Sequence, residues 1–426
     1  MTEVQYEYLV ERHVIRPSHS HYQVLDDFAH KANNVYNQGL YRVRQELFKG
    51  KWMSYSKLNA SMKKSRDQKD CMLYSSMNSV HLVQQILQVV AANMYGWKKA
   101  RDAWRKAPAK FTGRPRLPKY RKKGGKFTLY IDSQTAKLRK GGFVEIPVLN
   151  NLRIELQHKE TTAIRQVRIV PQHGRFVVEA VYKTNKEITY KPDNGRYMSI
   201  DPGLDNVFAI ASNVEGFQPI LINGRPVKSI NQYYNKERSR LCKVHGLSKQ
   251  PRSSRRLDRL EFIRDQKIDR FAHEASKCIV EYALSHDIAT IIIGNNKGQK
   301  RSCNMGKRNN QNFIGIPHQV MVNMLKYKAN LEGIVVIDIE ESYTSQTSFL
   351  DHEMPVRENG DKMRKKRGFS PAQRRIKRGL YRSDTGKLIN ADINAALQIL
   401  KKAVPDAYAN GIEGIGLSPV KLNLAF

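Results

Sequence analysis

An α+β chain of more than one domain is what this sequence predicts, with a mixed sheet in its carboxy-terminal half. Three observations carry that prediction. The chain has 426 residues, too many for one small domain. Its hydrophobic pattern switches between helical spacing and short alternating runs along the sequence. Beyond residue 196, three strand-like runs precede a long helical stretch, and then strand, helix, strand and helix follow in turn.

In order, residues 4–15 (VQYEYLVERHVI) alternate well enough for a strand. Over residues 21–48 the positions Tyr22, Leu25, Phe28, Ala29, Ala32, Tyr36 and Leu40 fall on one side of a helix. Helical spacing resumes over 54–62 and 79–105, so residues 25–107 read as a helical insert. Residues 127–184 read as short strands, among them 143–146 and 176–180, in a small β unit whose first strand is the amino-terminal one. The carboxy-terminal half offers strands at 197–201, 207–212 and 219–222 and a basic helical region at 231–286. The apolar runs 289–294 and 334–339 predict two buried strands, with a helix between them at 317–332. Another helix follows Asp392. Three antiparallel strands, then β-α-β and a helix, is the order of an RNase H-like fold.

Lys and Arg number 74 against 39 acids, a formal net charge of +35. Such an excess repels itself unless a polyanion is present, so nucleic acid is the expected partner, whether in a generic RNA-binding protein or in an enzyme. No apolar run approaches the roughly 20 residues needed to span a bilayer, and the first residues lack an apolar signal segment. Cys71, Cys242, Cys278 and Cys303 form no Cys-x-x-Cys pair, which predicts reduced thiols of an intracellular protein and no zinc ribbon. Residues 98–126 hold thirteen Lys or Arg and one acid, broken by Pro and Gly and interleaved with Phe111, Tyr120 and Phe127 nearby. A solvated linker has this composition, and so does a nucleic-acid clamp with stacking aromatics. Lys110, Arg114, Arg116, Lys119, Tyr120, Arg121 and Lys122 are the candidates there, joined by Arg255 and Arg256 on the basic helix. Ser76, Asn78, Gln84 and Gln85 offer polar side chains for reading a groove, or simply line an exposed helix face.

The candidate chemistry lies in carboxylates. Asp201 ends the first strand of the mixed sheet, just before Pro202-Gly203, where an ordinary turn residue would also stand. Asp392 stands at the mouth of an Ala-rich helix, where an N-cap would also stand. The strand ending in Gly294-Asn295-Asn296 brings no acid, while the next ends in Glu340-Glu341. Neighbouring strands lie about 4.8 Å apart, so a Glu there reaches the same place. Side chains alternate along a strand, so only one of Glu340 and Glu341 faces the site. Carboxylates converging from separate elements suit Mg²⁺, with Mn²⁺ as the substitute, in phosphodiester hydrolysis with ions about 4 Å apart.

The segments SIDPG (199–203), ESYTSQTS (341–348) and NADINAA (390–396) resemble the RuvC motifs of the TnpB (OrfB) family of insertion-sequence RNA-guided nucleases, related to compact type V CRISPR effectors. Residues 223–236 and 306–313 are similar to that family as well. The resemblance implies a wedge β-barrel domain (1–24 and 108–190), a helical recognition domain (25–107) and a RuvC nuclease domain (191–341 and 389–410). It further implies a target-nucleic-acid-binding insert (342–388) and a tail (411–426). It implies a prokaryotic, cytoplasmic and monomeric endonuclease that takes a guide RNA and cuts matched double-stranded DNA beside a short motif. Asp201, Glu341 and Asp392 would hold the metal, with Glu340 the alternative to Glu341. Lys307, Arg308, Arg374, Arg375 and Arg378 join the expected nucleic-acid contacts. Two departures stand out. Most relatives carry an acid where this chain has Gly294, and most carry a four-cysteine zinc ribbon whose first position is Ser348 here. The alternatives are a nuclease-inactive RNA-guided repressor, a recombinase working without RNA, and a CRISPR effector with an array-derived guide.

Overall fold

The computed structural model describes residues 8–64, 73–158, 161, 163–183, 187–244, 246, 254–295, 311, 314–355, 374–377, 379–409 and 411–424. Residues 8–186 form one compact unit and residues 187–426 another.

In the first unit, strand β1 (Tyr8–Ile15) leads into helices α1 (Tyr22–Phe48), α2 (Tyr55–Lys63) and α3 (Val80–Lys106). Ser54 and Ser79 cap α2 and α3 by accepting from the backbone N–H of Lys57 and Leu82. Leu25, Phe28, Ala29, Ala32, Tyr36 and Leu40 are buried along α1, as the helical spacing predicts. Gly39 lets α3 come close, because a Cβ there would stand 2.7 Å from Leu87 Cδ2. Strands β2 (Leu129–Asp132), β3 (Lys137–Arg139), β4 (Phe143–Ile146), β5 (Leu152–Glu155), β6 (Ile164–Gln172) and β7 (Arg175–Lys183) follow. They form a four-stranded sheet, β1-β7-β6-β2, and a three-stranded sheet, β3-β4-β5, all antiparallel. The β6–β7 hairpin turns on His173-Gly174, both at positive φ, the backbone a two-residue primed turn requires.

The expected border between a helical domain and a β domain is not a border in the packing. Residues of α1, α2 and α3 share one hydrophobic cluster with both sheets, from Leu25 and Val83 to Leu129, Ile146 and Val178. Each segment presents one apolar face, and neither buries it without the other. The two sheets share no paired strand among the described residues, so no hydrogen-bonded barrel closes there.

The second unit runs through β8 (Tyr197–Pro202), β9 (Asn206–Ser212), β10 (Ile220–Asn223), α4 (Arg225–Val244), α5 (Arg255–Ser285) and β11 (Thr290–Gly294). It continues with α6 (His318–Leu331), β12 (Val335–Ile339), the small strands β13 (Arg375–Lys377), β14 (Leu380–Arg382) and β15 (Leu388–Asn390), α7 (Ala391–Ala403) and β16 (Val420–Leu422). The main sheet has the order β12-β11-β8-β9-β10-β16. β9 is antiparallel to β8 and β10, whereas β11, β12 and β16 run parallel to their neighbours.

Helices cover both faces. Met198, Ile200, Ile291 and Ile293 pack with Phe271, Ala275, Met321 and Leu325 of α5 and α6. Ala209, Ala211, Leu221 and Ile292 face Ile393, Leu397 and Ile399 of α7. This explains the unbroken apolar run of β11, which is buried on both sides along its length.

Two expectations are corrected. β12, predicted to be buried, is the edge strand, with Ile337 45% exposed, because nothing among the described residues pairs with its outer side. Residues 411–426 are not a mere tail, since β16 extends the sheet beside β10. Among the described residues no helix is long and apolar enough to cross a membrane.

Candidate functional site

The alternation of the central strand places the first acid. Met198 and Ile200 point to α5 and α6, so Ser199 and Asp201 point to the α7 side. Pro202 and Gly203 then turn the chain back toward β9, with Gly203 N–H donating to Val207 O and His318 Nε2 lying 2.8 Å from Gly203 O. The turn is tight, for a Cβ at Gly203 would meet Asn206 O at 2.6 Å.

The second acid comes from α7. Asn390, not Asp392, is its N-cap, accepting from the N–H of Asp392 at 3.0 Å and of Ile393 at 3.2 Å. Asp392 is thereby released from capping, and Asn206 Nδ2 donates to its carboxylate at 2.7 Å. The rest of the motif anchors the helix: Asn394 donates to Thr347 O and accepts from Phe349 N–H.

Glu341 supplies the third. Ile339, the last residue of β12, pairs with Gly294 and packs toward Ile399 and Leu400; just beyond the strand Glu341 lies against Gly294, while Glu340 reaches Lys402 near the end of α7. Glu340 is 62% exposed and bound to Lys402 at 3.0 Å and to Ser342, which removes it from the cluster. Its place among the catalytic candidates is corrected on that ground. Glu341 lies directly over Gly294. A Cβ there would stand 2.8 Å from Glu341 Oε2 and 2.6 Å from Ile399 Cδ1. The space a side chain at 294 would fill is thus occupied by the carboxylate of the neighbouring strand end.

Electrostatics tie the three acids together. Burial drives the pKa of Asp201 well above its ordinary 3.8, Glu341 and then Asp392 raise it further, and Arg375 opposes them. Burial, then Glu340, raises Glu341 above its ordinary 4.5, with Lys402 opposing. Asp201 and Glu341, both buried and both pushed up, favour a proton or a cation close by. An all-oxygen donor set on separate elements fits a hard divalent ion such as Mg²⁺.

The insert is held by a buried guanidinium. Arg374 is 4% exposed, bonds Glu353 at 2.8 Å and Asp384 at 2.7 Å, and lies beside the Tyr381 hydroxyl. Ser348, also buried, donates its N–H to Glu353, and Gln398 of α7 donates to Glu353 O. Arg374 therefore serves packing and is withdrawn from the nucleic-acid contacts. Arg374→Ala would strand two carboxylates and is expected to cost about 3–5 kcal/mol. Urea denaturation together with limited proteolysis of the insert checks this, and a wild-type midpoint would refute it.

The basic segment of the first unit is strapped to α1. Asn33 donates to Lys122 O, and Asn37 donates to Arg121 O and accepts from Arg121 N–H at 2.8 Å. His30 Nδ1 lies 3.0 Å from Gly125 O, and Trp97 Nε1 donates to Pro115 O. The backbone spends its polar groups inward, while Lys110, Arg114, Arg116, Lys119, Tyr120, Arg121 and Lys122 remain exposed. A freely solvated linker is not what forms. The stacking role of Phe127 is corrected, because its ring is buried 4.7 Å from that of Tyr36. The Tyr120 ring carries the Arg44 guanidinium 4.7 Å from its centroid.

Arg255 and Arg256 are exposed at the start of α5, and Arg375 is exposed on β13. Lys307, Arg308 and Arg378 lie outside the described residues. The Ser76 hydroxyl donates to Leu73 O, a local turn bond, and Asn78 takes a left-handed φ of 49°. Gln84 and Gln85 are half-buried on α3. The sequence did not single out Asn206, His318 or Lys421. Only for Asn206 was there a signal, an Asn three residues after Pro202-Gly203.

Sequence comparison adds to this geometry. Residues 176–300 match the family OrfB_IS605, described as a probable transposase, and residues 318–399 match the Cas12f1-like TNB domain. Over residues 176–300 the chain is similar to the OrfB (TnpB) proteins. The OrfB match holds Asp201 and Gly294, and the Cas12f1-like match holds Glu341 and Asp392. A CRISPR-associated endodeoxyribonuclease, Cas12f2 of Micrarchaeota archaeon (strain CG1_02_47_40), is 25% identical over 247 residues, covering 56% of this chain and 42% of that protein. The chain thus aligns with well under half of that relative's length. Among solved structures, a Cas12f1–sgRNA–target DNA complex is similar with a TM-score of 0.34 at 15% identity, over 92% of this chain and 98% of that one. CasPhi-2 (Cas12j) bound to crRNA and phosphorothioate DNA gives a TM-score of 0.40 at 10% identity, over 97% of this chain and 93% of that one.

Proposed function

We propose that residues 187–426 form a RuvC-type, RNase H-like nuclease and that the whole chain is an RNA-guided DNA endonuclease. The observation that carries this is the electrostatic influence of Glu341 and Asp392 on the buried Asp201, three carboxylates brought in by separate elements, with burial raising the pKa of Asp201 well above its ordinary value. These three carboxylates would hold Mg²⁺ or Mn²⁺. When bound, such ions supply Lewis acidity at the scissile phosphate and neutralise its developing charge. The protein's own part is to fix the carboxylates in advance: Asn206 orients Asp392, the 202–206 turn holds Asp201, and Gly294 makes room for Glu341. The sheet order supports the RNase H-like assignment.

Guide RNA and target DNA are the proposed partners. The charge of +35 and the ordered basic strap favour a polyanion, and relatives are described with sgRNA, crRNA and target DNA. Replacing Lys119, Arg121 and Lys122 by Ala is expected to weaken RNA binding at every sequence and to lower the salt slope by about 0.7–0.9 per lost contact. An unchanged slope in a titration of binding against salt would remove the strap from the interface.

The experiment on the function is purification with bound RNA, sequencing of that RNA, and cleavage of matched DNA with and without Mg²⁺. Expected is metal-dependent cutting, lost in Glu341→Gln and nearly intact in Glu340→Gln. Matched DNA that is bound and never cut would favour the inactive repressor. Cutting that ignores the RNA would favour the RNA-independent recombinase.

A further inference from the structure

A cleft of about 380 Å³ opens beside Asp392, lined by Asn206, Arg225, Arg375, Gly379 and Lys421 among others. Its size suits one sugar-phosphate unit rather than a large ligand. Three cations enter it from three separate elements: Arg225 from the first residue of α4, Arg375 from β13 and Lys421 from β16. All three are exposed, and none has an ion-pair partner among the described residues. The one further acid in the wall besides Asp392, Asp205, is salt-bridged to Lys228. Asp392 belongs to both the cleft wall and the acid cluster, and Arg375 acts on Asp201 electrostatically. Asn206 spans the two, with its NH₂ on Asp392 and its carbonyl oxygen buried without a partner.

We propose that this cleft is a phosphodiester subsite, in which Arg225 and Lys421 grip the backbone phosphate adjoining the bond to be cut. It rests on the nuclease activity proposed above. Cations grouped on one side of a carboxylate cluster hold a polyanion against it, where the carboxylates alone would repel it. β16 thereby acquires a purpose: pairing with β10 carries Lys421 to the mouth of the site.

The test is a cycle between protein and substrate. Single-turnover cleavage of matched DNA is measured for wild type, Arg225→Ala, Lys421→Ala and the conservative Arg225→Lys. Each is measured on all-phosphodiester DNA and on DNA with one neutral methylphosphonate flanking the cut. Expected is a loss of about 10-fold in each alanine variant, with unchanged melting temperature and bound RNA and partial rescue by Arg225→Lys. At one flanking position the neutral linkage should slow wild type by a similar factor and slow the variants no further. Additive losses at every position, or no loss in either alanine variant, would overturn the subsite. A second measurement is independent of cutting. In EDTA, the salt slope for binding a matched single strand should fall by about 0.7 for each cation removed, and inorganic phosphate should compete more weakly with the variants. An unchanged slope overturns the subsite even if wild type proves not to cut, an outcome that would instead count against the nuclease.

Discussion

Asp201→Asn should abolish cleavage and at the same time make the metal-free protein more stable. Cleavage is expected to fall by at least about 10³-fold, because the carboxylate at the sheet centre is the one facing both Glu341 and Asp392. Stability should move the other way. Asp201 and Glu341 have folded-state pKa values above their ordinary 3.8 and 4.5. Between those ordinary values and the raised ones the folded state holds protons that the unfolded state has released. Stability of the metal-free protein therefore falls as pH rises through that window, starting near the usual carboxylate range. An uncharged Asn removes one charge from the crowd and flattens the slope. Each kcal/mol gained would raise the melting temperature of a unit this size by about 2–4 °C. Added Mg²⁺ should stabilise wild type more at pH 8 than at pH 5 and should stabilise Asp201→Asn far less. A variant that melts earlier than wild type in EDTA at pH 8 would show that the cluster is not strained by its own charge.

Gly294→Ala carries the second large effect. The added methyl group would stand 2.8 Å from Glu341 Oε2 and 2.6 Å from Ile399 Cδ1, both closer than van der Waals contact. Either Glu341 leaves its place or the α7 packing yields. Overpacking of this kind costs about 1–3 kcal/mol, and loss of a ligand position lowers metal-dependent activity by about 10–100-fold. The two effects separate in the double variant Gly294→Ala/Ile399→Val. Trimming Ile399 removes the contact on α7, so stability should return toward wild type while cleavage stays low. Full cleavage in Gly294→Ala would mean that Glu341 does not work from the position it holds.

Much of the site was legible in local sequence. Asp201 and Asp392 stand at element ends, and strand alternation required that only one of Glu340 and Glu341 face inward. The alternation itself did not say which. That followed from Glu341 lying over Gly294 and from Lys402 holding Glu340. Arg374 went the opposite way. In a run of basic residues nothing distinguished it from Arg375, yet one is buried against Glu353 and Asp384 and the other is exposed. Pairing with acids some 10–21 residues away is invisible to a local pattern.

The fold divides along the same line. Period and charge along the chain were enough for most of the helices, for the strands from β8 to β12 in their order, and for the basic character of the 98–126 segment, since each depends on neighbours a few residues apart, whereas β13 to β16 were not read. Which elements share a core was decided only in three dimensions. The helical and β segments of residues 8–186 bury their apolar faces against each other, and β16 finds β10 across some 200 residues. Gly294 is the sharpest case. In sequence it is a missing acid. In the structure it is the space into which the acid of the next strand fits, because packing is settled by volume and not by order along the chain.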